Sequence, residues 1–318
     1  MDILAADIGG TNSRFAYFTV DAAGTLKLEE SIWLKTQESA SFANLLDQLK
    51  SSDLSLPPDR AEIAVIAVAG PVERGTHSRP PNISWEIDLS RANENFGLKR
   101  CLLINDFVAQ AFACRSPVIE SALQVIPGKI DPAQPLVVIG AGTGLGQAAL
   151  IPQTAGGHIP LASEGGHASF PFETEAEFDY MKFLHHQTGE TYVRADTVVS
   201  GRGLSLVHEY LTGEKLQPAE VAAKLHDDVQ SLKWMSRFYG RICRNFALQL
   251  LAFGGVYIAG GVAARIPSLV THQEFKTAFL RSKTMTHVLE KIPVMLNSNQ
   301  ESGLWGAALQ GLELLGRP

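Results

Sequence analysis

The sequence predicts an α/β protein built from two related lobes. Short β-rich runs alternate with amphipathic helical segments, an order that is typical of α/β folds. The 318 residues amount to roughly two domains of ~150 residues each. A glycine-rich turn between two β-rich runs occurs twice, as IGGTN near the N-terminus and as IGAGTG near residue 140. This recurrence indicates an internal duplication with one copy in each lobe.

The first lobe is predicted to open with a β-meander. Its three β-rich runs, ILAADI, SRFAYFTV and LKLEESIWL, are separated by the turns GGTN and DAAG. The segment SASFANLLDQLKSS then predicts a serine-capped amphipathic helix, because its apolar residues recur at three- and four-residue spacing. These apolar residues are Phe42, Leu45, Leu46 and Leu49. A buried-type strand, EIAVIAVAG, follows and ends at Gly70-Pro71.

A short helix around SRANENFG precedes the strand CLLI, which leads directly into Asn105-Asp106 and the helix FVAQAFACR. The second lobe repeats the opening pattern with PLVVIG, the turn AGTGLG and QAALIP. Further helices are predicted at EAEFDYMKFLHHQTG, which closes at Gly189, and from about Ser231 onwards. The uncharged segment Phe246 to Ala264 is interpreted as a helix end, a turn, the strand VYIA and another turn, because two glycine pairs divide it. We therefore predict no membrane span there.

Composition narrows the function classes. Hydrophobic residues make up 45% and charged residues 19%, which favours packed cores over disorder. With 27 Lys and Arg against 33 Asp and Glu, the net charge is −6 and no basic block is present, which argues against nucleic acid as a partner. The three cysteines are widely spaced without a C-x-x-C pair, and the start MDILAADIGG lacks signal-peptide features. These features predict a cytoplasmic protein.

The two glycine loops, Asp7 to Asn12 and Gly140 to Gly146, are candidate phosphate loops, because glycines let backbone N–H groups approach a phosphate closely. The alternative is a plain hairpin turn. Both loops are followed by strands, whereas a P-loop or a dinucleotide fingerprint leads into a helix. The pattern therefore argues against a nicotinamide-dependent dehydrogenase.

Three carboxylates and their neighbours are candidates for chemistry. Asp7 stands at a strand end beside the first loop, where it could hold Mg²⁺ directly or through water, or merely cap the turn. Asp106 could accept a proton from a substrate hydroxyl, or it could cap the following helix. Glu164 and His167, which flank two glycines, suit sugar hydroxyls better than a metal, because no third ligand with suitable spacing accompanies them.

These motifs together resemble the bacterial glucokinases of the hexokinase and actin-like ATPase superfamily, in the group that lacks the cysteine-rich zinc motif of the ROK kinases. The resemblance spans nearly the whole chain, and six motifs occur in the family's order. They are DIGGTN (7 to 12), LLINDF (102 to 107), VIGAGTGLG (138 to 146), EGGH (164 to 167), VSGRGL (199 to 204) and YIAGGV (257 to 262).

The resemblance implies a two-lobed ribonuclease-H-like α/β fold with ATP and a sugar bound in a central cleft. It implies a small α/β domain of residues 1–106 plus about 300–318, and a large α/β domain of residues 107–299. It also implies ATP-dependent, magnesium-dependent phosphorylation of glucose to glucose 6-phosphate in glycolysis, by a cytoplasmic homodimer. Membranes and nucleic acid are not expected as partners.

By motif match, the resemblance assigns roles to individual residues. Asp106 would be the general base and would also contact the sugar, together with Asn105, Glu164, His167 and Asp196. The ATP-binding residues would be Ala6, Asp7, Ile8, Gly9, Gly10, Thr11, Gly142, Thr143, Gly144, Gly260 and Gly261, with Asp7 holding Mg²⁺ through water. Asp196 departs from the family pattern, which usually carries Glu there, so the hexose selectivity is expected to be weaker or altered.

Two other functions fit the same residues. A kinase for another hexose or an amino sugar would use the same loops and the same general base. A non-catalytic sugar or ATP sensor on the same fold would bind without turnover. No helix-turn-helix precedes DIGGTN, which begins six residues after the start.

Overall fold

The computed structural model describes residues 1–226 and 229–316. Strands and helices are numbered separately along the chain. The strands are β1 (Asp2–Ile8), β2 (Asn12–Val20), β3 (Leu26–Lys35), β4 (Ile63–Val68), β5 (His77–Ser78), β6 (Ile87–Asp88), β7 (Cys101–Asn105), β8 (Leu123–Ile126), β9 (Leu136–Ala141), β10 (Leu145–Pro152), β11 (His158–Ser163), β12 (Val256–Ala259) and β13 (Val294–Leu296). The helices are α1 (Phe42–Lys50), α2 (Ala92–Phe96), α3 (Asp106–Ala113), α4 (Glu175–Thr188), α5 (Ala195–Val198), α6 (Gly201–Thr212), α7 (Pro218–Lys224), α8 (Gln230–Leu250), α9 (Gly261–Arg265), α10 (Ser268–Thr271), α11 (Gln273–Leu280), α12 (Thr286–Leu289) and α13 (Ser302–Leu315).

The predicted internal duplication is confirmed by the topology of the two large sheets. The first has the order β3-β2-β1-β4-β7, and the second has the order β11-β10-β9-β12-β13-β8. In the first, β1 pairs antiparallel with β2 and parallel with β4, which pairs parallel with β7. In the second, β9 pairs antiparallel with β10 and parallel with β12, which pairs parallel with β13. Each sheet therefore carries a glycine loop between its central strand and the next antiparallel strand.

The burial patterns of β4 and β3 fit their positions in the first sheet. All six residues of β4 are buried, as in a strand covered on both faces of a parallel sheet. In β3 partly buried and exposed residues alternate, which suits a strand at the sheet edge. The predicted meander β1–β2–β3 is thus confirmed, and the predicted helix at SASFANLLDQLKSS is α1, whose cap Ser41 accepts a hydrogen bond from the Asn44 N–H at 3.1 Å.

The chain divides into two compact units. The first contains Met1–Ser121, Pro160–Ala162 and the segment that begins at Asn299, and the second contains Ala122–Ile159 and Ser163–Ser298. Each unit has its own buried apolar cluster. The lobe assignment from the sequence, 1–106 plus about 300–318 against 107–299, stays a prediction, and residues 317 and 318 lie outside the described residues.

Helix α3 belongs to the first unit because it packs closely on α13. A Cβ atom at Gly306 would lie 1.7 Å from the carbonyl oxygen of Ala109, so only glycine permits this approach. The C-terminal helix therefore completes the first unit, although it follows the second unit in the sequence.

The apolar segment after α8 also largely follows the prediction. Helix α8 ends at Leu250, and the strand VYIA is β12. The turn expected after that strand is instead the short helix α9, which begins at Gly261. Within the described residues, no helix is both long enough and apolar enough to cross a membrane.

Candidate active site

The first glycine loop is a hairpin connection between β1 and β2. Ile8 pairs with Ser13 across the two strands, and the Gly9 N–H donates to the Asn12 carbonyl oxygen at 3.0 Å. The side chains of Ala6 and Ile8 are 0% and 1% exposed, so these two predicted ATP-binding residues have only backbone groups to offer a phosphate. At Gly10 a Cβ atom would lie 2.7 Å from the Cβ atom of Asn82, so the loop after Pro81 packs against the glycine loop.

Asp7 lies in β1 directly opposite Arg14 of β2. Burial raises the pKa of Asp7, and the Arg14 guanidinium opposes that shift. The start of α13 also approaches this carboxylate, since a Cβ atom at Gly303 would be 2.8 Å from Asp7 Oδ2. The side chain is thus partly enclosed by β2 and α13, and neither Arg14 nor Gly303 was among the predicted site residues.

Asn105 and Asp106 lie at the same edge of the first sheet as the glycine loop. Ile8 is in register with Val68 of β4, and Val68 is in register with Asn105 of β7. Parallel strands lie about 4.8 Å apart, which places Ile8 and Asn105 roughly 10 Å apart. This edge is where open α/β sheets form their ligand sites.

The residue that caps the helix after β7 is Asn105. The alternative prediction, that Asp106 caps this helix, was wrong. Asn105 Oδ1 accepts from the N–H groups of Phe107 and Val108 at 2.9 and 3.3 Å. Its Nδ2 donates to the Gly70 carbonyl oxygen at 3.1 Å, which leaves one Nδ2 hydrogen for another acceptor. Asp106 occupies the first helical position, where Oδ1 accepts from the Phe107 N–H at 3.0 Å.

The second glycine loop lies beside a cavity of about 620 Å³ in the second unit. The Gly142 N–H donates to the Gly144 carbonyl oxygen at 2.8 Å, and the Gly142 carbonyl oxygen accepts from the Gly201 N–H at 3.0 Å. Gly260 follows β12, where a Cβ atom would be 2.7 Å from the Ala141 carbonyl oxygen. The cavity is lined by Gly142, Thr143, Gly201, Arg202, Leu204, Pro218, Ala219, Ala222, Gly261, Val262, Arg265 and Ile266.

This cavity brings together three of the predicted ATP-binding residues, Gly142, Thr143 and Gly261. Its wall combines apolar side chains with two guanidinium groups, those of Arg202 and Arg265. Within the described part of the chain, neither guanidinium group has a hydrogen-bond or ion-pair partner. An apolar wall with two cations suits a nucleotide, whose flat base packs on apolar groups and whose phosphates pair with guanidinium groups. The sequence did not indicate either arginine as a site residue.

The predicted sugar-binding residues of the second unit form one polar cluster. His167 Nε2 lies 3.6 Å from Glu164 Oε2, and both side chains are about half exposed. Asp196, in the first turn of α5, lies next to the second glycine loop, because a Cβ atom at Gly144 would be 3.5 Å from Asp196 Oδ2. Gly144 therefore lies on the side of the loop that faces the predicted sugar-binding carboxylate.

Arg194 and Glu190 join this cluster, although neither was predicted. The Arg194 guanidinium contacts Glu190 Oε1 at 2.8 Å, His167 Nδ1 at 3.0 Å and Asp196 Oδ2 at 3.4 Å. Burial would raise the pKa of Glu190, but hydrogen bonds from Arg194 and Thr197 outweigh it and lower that pKa. Arg194 was visible in the sequence two residues before Asp196, yet no spacing rule indicated that its side chain would turn towards His167.

The chain is similar to known proteins of one family over nearly its whole length. The family model described as Glucokinase matches residues 4–313. A glucokinase from a Nostoc species is 32% identical over 96% of this chain and 98% of its own length. The crystal structure of a glucokinase from an Antarctic psychrotroph is 28% identical, with a TM-score of 0.83 over 97% of this chain and 98% of its own.

A glucokinase from Balamuthia mandrillaris, solved in complex with glucose, has the same fold at 19% identity, with a TM-score of 0.79 over 98% of this chain and 93% of its own. The actin-like ATPase and hexokinase fold implied by the six motifs is therefore confirmed. The family match covers nearly the whole chain and includes all six motifs. The chain belongs to the glucokinase family.

Proposed function

We propose that this protein transfers the γ-phosphoryl group of ATP to the 6-hydroxyl of glucose, giving glucose 6-phosphate and ADP. The observation that carries the proposal is the cavity at the second glycine loop, lined by Gly142, Thr143 and Gly261 together with the two arginines that lack partners among the described residues. It lies in a chain whose relatives of similar length are named glucokinases. The adenosine would occupy the apolar part of this cavity, and the guanidinium groups would face phosphate.

Asp106 is the proposed general base. It occupies the first turn of α3 at the sheet edge that also carries the first glycine loop. Its carboxylate would accept the proton of the 6-hydroxyl as the oxygen attacks the γ-phosphorus, so that the P–O bond to ADP breaks as the new P–O bond forms. Asn105 retains one Nδ2 hydrogen for a sugar oxygen.

In the second unit, Glu164 and Asp196 would accept hydrogen bonds from sugar hydroxyls, and His167 would donate one. Catalysis of phosphoryl transfer depends mainly on such positioning and on charge stabilisation. The backbone N–H groups of Gly9 to Thr11 and of Gly142 to Gly144 would contact the phosphates.

Asp7 is the proposed Mg²⁺ ligand, through water. Among the described residues no group of three or more His, Cys, Asp and Glu side chains could hold a metal ion. This fits Mg²⁺, which commonly keeps several waters and binds one or two carboxylates together with substrate phosphates. When bound, the ion would neutralise phosphate charge during transfer.

A kinase for another hexose is the second candidate, and Asp196 is the observation that favours it. A carboxylate one methylene shorter than Glu changes the distance to the hydroxyl that it would bind, and hydrogen-bonding sites discriminate strongly between hydroxyl patterns. Action in the cytoplasm, a contribution to glycolysis and a homodimeric state complete the proposal, and sedimentation of the purified protein tests the last of these.

A coupled ADP-release assay across a panel of hexoses and amino sugars tests the proposed function. We expect the highest kcat/KM with glucose and ATP, and no turnover when Mg²⁺ is chelated. A higher kcat/KM for another hexose would assign the second candidate. An absence of ADP with every sugar would overturn both and favour a binding protein.

A further inference from the structure

The Arg194 guanidinium is the centre of the predicted sugar cluster. It lies within 3.4 Å of three side chains: Glu190, His167 and Asp196. The Nη2 group contacts Glu190, whereas the Nη1 group reaches both His167 Nδ1 and Asp196 Oδ2. The guanidinium thus joins Glu190, which was not a predicted sugar-binding residue, to His167 and Asp196, which were.

Glu190 holds the guanidinium in place on the side away from His167 and Asp196. Glu190 is itself held by two contacts. Thr197 Oγ1 donates to the Glu190 carboxylate at 2.9 Å, and the backbone carbonyl oxygen of Glu190 lies 2.8 Å from His185 Nδ1. Hydrogen bonds to Glu190 raise the pKa of Arg194, so this cation stays charged. Since Arg194 donates to Glu190 through Nη2 and Nε, the Nη1 group remains for His167 and Asp196.

This arrangement determines which ring nitrogen of His167 carries the proton. A guanidinium has five N–H donors and no acceptor, so the contact at 3.0 Å requires Nδ1 of His167 to accept. A neutral imidazole then carries its hydrogen on Nε2. That nitrogen faces Glu164, whose Oε2 is 3.6 Å away.

We propose that Arg194 is a positioning residue for sugar recognition, which fixes His167 in the Nε2–H tautomer and holds Asp196 beside it. His167 then presents a donor, and Glu164 and Asp196 present acceptors, to the same set of sugar hydroxyls. Without Arg194 the ring can rotate and exchange its proton between the two nitrogens, so the donor is present for only part of the time. This inference rests on the proposed sugar-kinase function and adds a specificity-determining residue to it.

A double-mutant cycle tests the proposal through activity. We expect Arg194→Gln to raise the KM for glucose about tenfold, with a smaller change in kcat, because a contact to a charged group is lost. The amide nitrogen of a glutamine can substitute for Nε2 of histidine as a donor and has no tautomers. In the His167→Gln background, Arg194→Gln should therefore change the KM less than about twofold.

Arg237→Gln is the matched control. Arg237 has the same 31% side-chain exposure as Arg194 and pairs with Glu274 at 3.0 Å, but it lies in α8 outside the cluster. We expect its KM for glucose to equal that of the unmodified protein. Equal effects of Arg194→Gln in both backgrounds would overturn the proposal, because a merely structural role would not depend on His167.

A spectroscopic measurement tests the tautomer independently of the reaction. Long-range ¹H–¹⁵N spectra of protein with ¹⁵N-labelled histidine, without ligands and near neutral pH, should show His167 with a protonated Nε2 and an unprotonated Nδ1. The His167→Gln variant identifies the signal. Arg194→Gln should give a mixture of tautomers, and an unchanged spectrum would overturn the proposal. If no sugar is phosphorylated but the tautomer shifts as expected, the proposed function fails while the positioning by Arg194 stands.

Discussion

Gly303 lies against the carboxylate of Asp7, so closely that a Cβ atom at position 303 would be 2.8 Å from Oδ2 and 3.1 Å from Cγ. The contact joins the start of the C-terminal helix to the end of the first strand, from opposite ends of the chain. Because Gly303 leaves room for Asp7, helix α13 shapes the proposed magnesium site.

Substitution of Gly303 by alanine should therefore impair the use of ATP and Mg²⁺. The added methyl group must displace the Asp7 carboxylate, and misplacement by about 1 Å can cost roughly a hundredfold in rate. We expect kcat/KM for ATP to fall about 10- to 100-fold and the Mg²⁺ concentration at half-maximal rate to rise, while the KM for glucose changes little. Steady-state kinetics with varied ATP and Mg²⁺ measure these effects.

Gly316→Ala provides the control on the same segment, because the nearest atom to a Cβ there is 3.6 Å away. It should leave the kinetics unchanged. Unaltered ATP and Mg²⁺ dependence in Gly303→Ala would remove Asp7 from the proposed site, provided that circular dichroism shows an intact fold.

The central strands and loops could be predicted from the sequence because their signals are local. The β-rich runs of β1 to β3, the buried run of β4 and the repeated glycine turns each lie within one short segment. These local signals predict the duplication. They also place Asn105 at the same sheet edge as the first glycine loop, because parallel strands end at one edge.

What could not be predicted depends on side chains that meet across long separations in the chain. The resemblance implied that the segment from about residue 300 joins the first lobe, but no pattern near position 303 indicates that Gly303 meets Asp7. Arg194 bonds His167 across 27 positions, in a direction that spacing alone does not give. The sequence left a helix cap at Asp106 as an alternative, since Asn and Asp both cap well. The extended backbone of Asn105 and its two accepted hydrogen bonds identify Asn105 as the cap.

Asp106→Asn tests the proposed general base. Asparagine keeps an oxygen for the Phe107 N–H but cannot accept the proton of the sugar hydroxyl. We expect kcat to fall by about 10³-fold, a typical loss for a general base, while glucose binding measured by calorimetry persists. Asp47→Asn, at an exposed position of α1, serves as the control. A variant at position 106 that retains most of its turnover would rule out this role.

Arg202 and Arg265 should govern binding of the phosphoryl donor. Both guanidinium groups line the cavity at the second glycine loop and lack partners among the described residues. Loss of one charge-assisted contact costs about 1.5–3 kcal/mol, so Arg265→Gln or Arg202→Gln should raise the KM for ATP by roughly tenfold or more. The KM for glucose should stay constant. A shift in the glucose KM alone would contradict the assignment of this cavity to ATP.

Asp196→Glu tests how the shorter carboxylate affects sugar selectivity. Asp196 now lies beside Gly144 and Arg194, and the added methylene would lengthen the reach of its carboxylate. We expect the KM for glucose to fall about threefold to tenfold, with kcat/KM for other hexoses changing less, since one improved hydrogen bond contributes about 1 kcal/mol. Glucose kinetics equal to those of the unmodified protein would show that position 196 does not set selectivity.

The ion pair between Arg241 and Glu177 should make the second unit sensitive to acid. The two side chains are 1% and 0% exposed, and their atoms meet at 2.7 and 2.9 Å. Burial would raise the pKa of Glu177, but the hydrogen bond from Arg241 helps to lower it below its ordinary value of 4.5. As the pH falls, Glu177 is therefore protonated in the unfolded chain before it is protonated in the folded protein. The stabilisation is present above about pH 4.5 and is lost as the pH decreases through the folded-state pKa.

Glu177→Gln should remove this pH-dependent contribution and leave the buried Arg241 guanidinium with Glu173, whose Oε1 lies 3.2 Å from Nε, and with the Pro171 carbonyl oxygen. Because Glu173 still compensates part of the charge, we expect a loss of about 1.5–3 kcal/mol in the free energy of unfolding near neutral pH, measured by urea denaturation. The difference between variant and unmodified protein should be smaller near pH 4. Glu274→Gln breaks the more exposed pair with Arg237 and should cost at most about 1 kcal/mol. The loss should be larger for Glu177→Gln, because water cannot reach the buried Arg241 guanidinium to replace the missing carboxylate. Equal losses of unfolding free energy in the two variants would contradict this effect of burial.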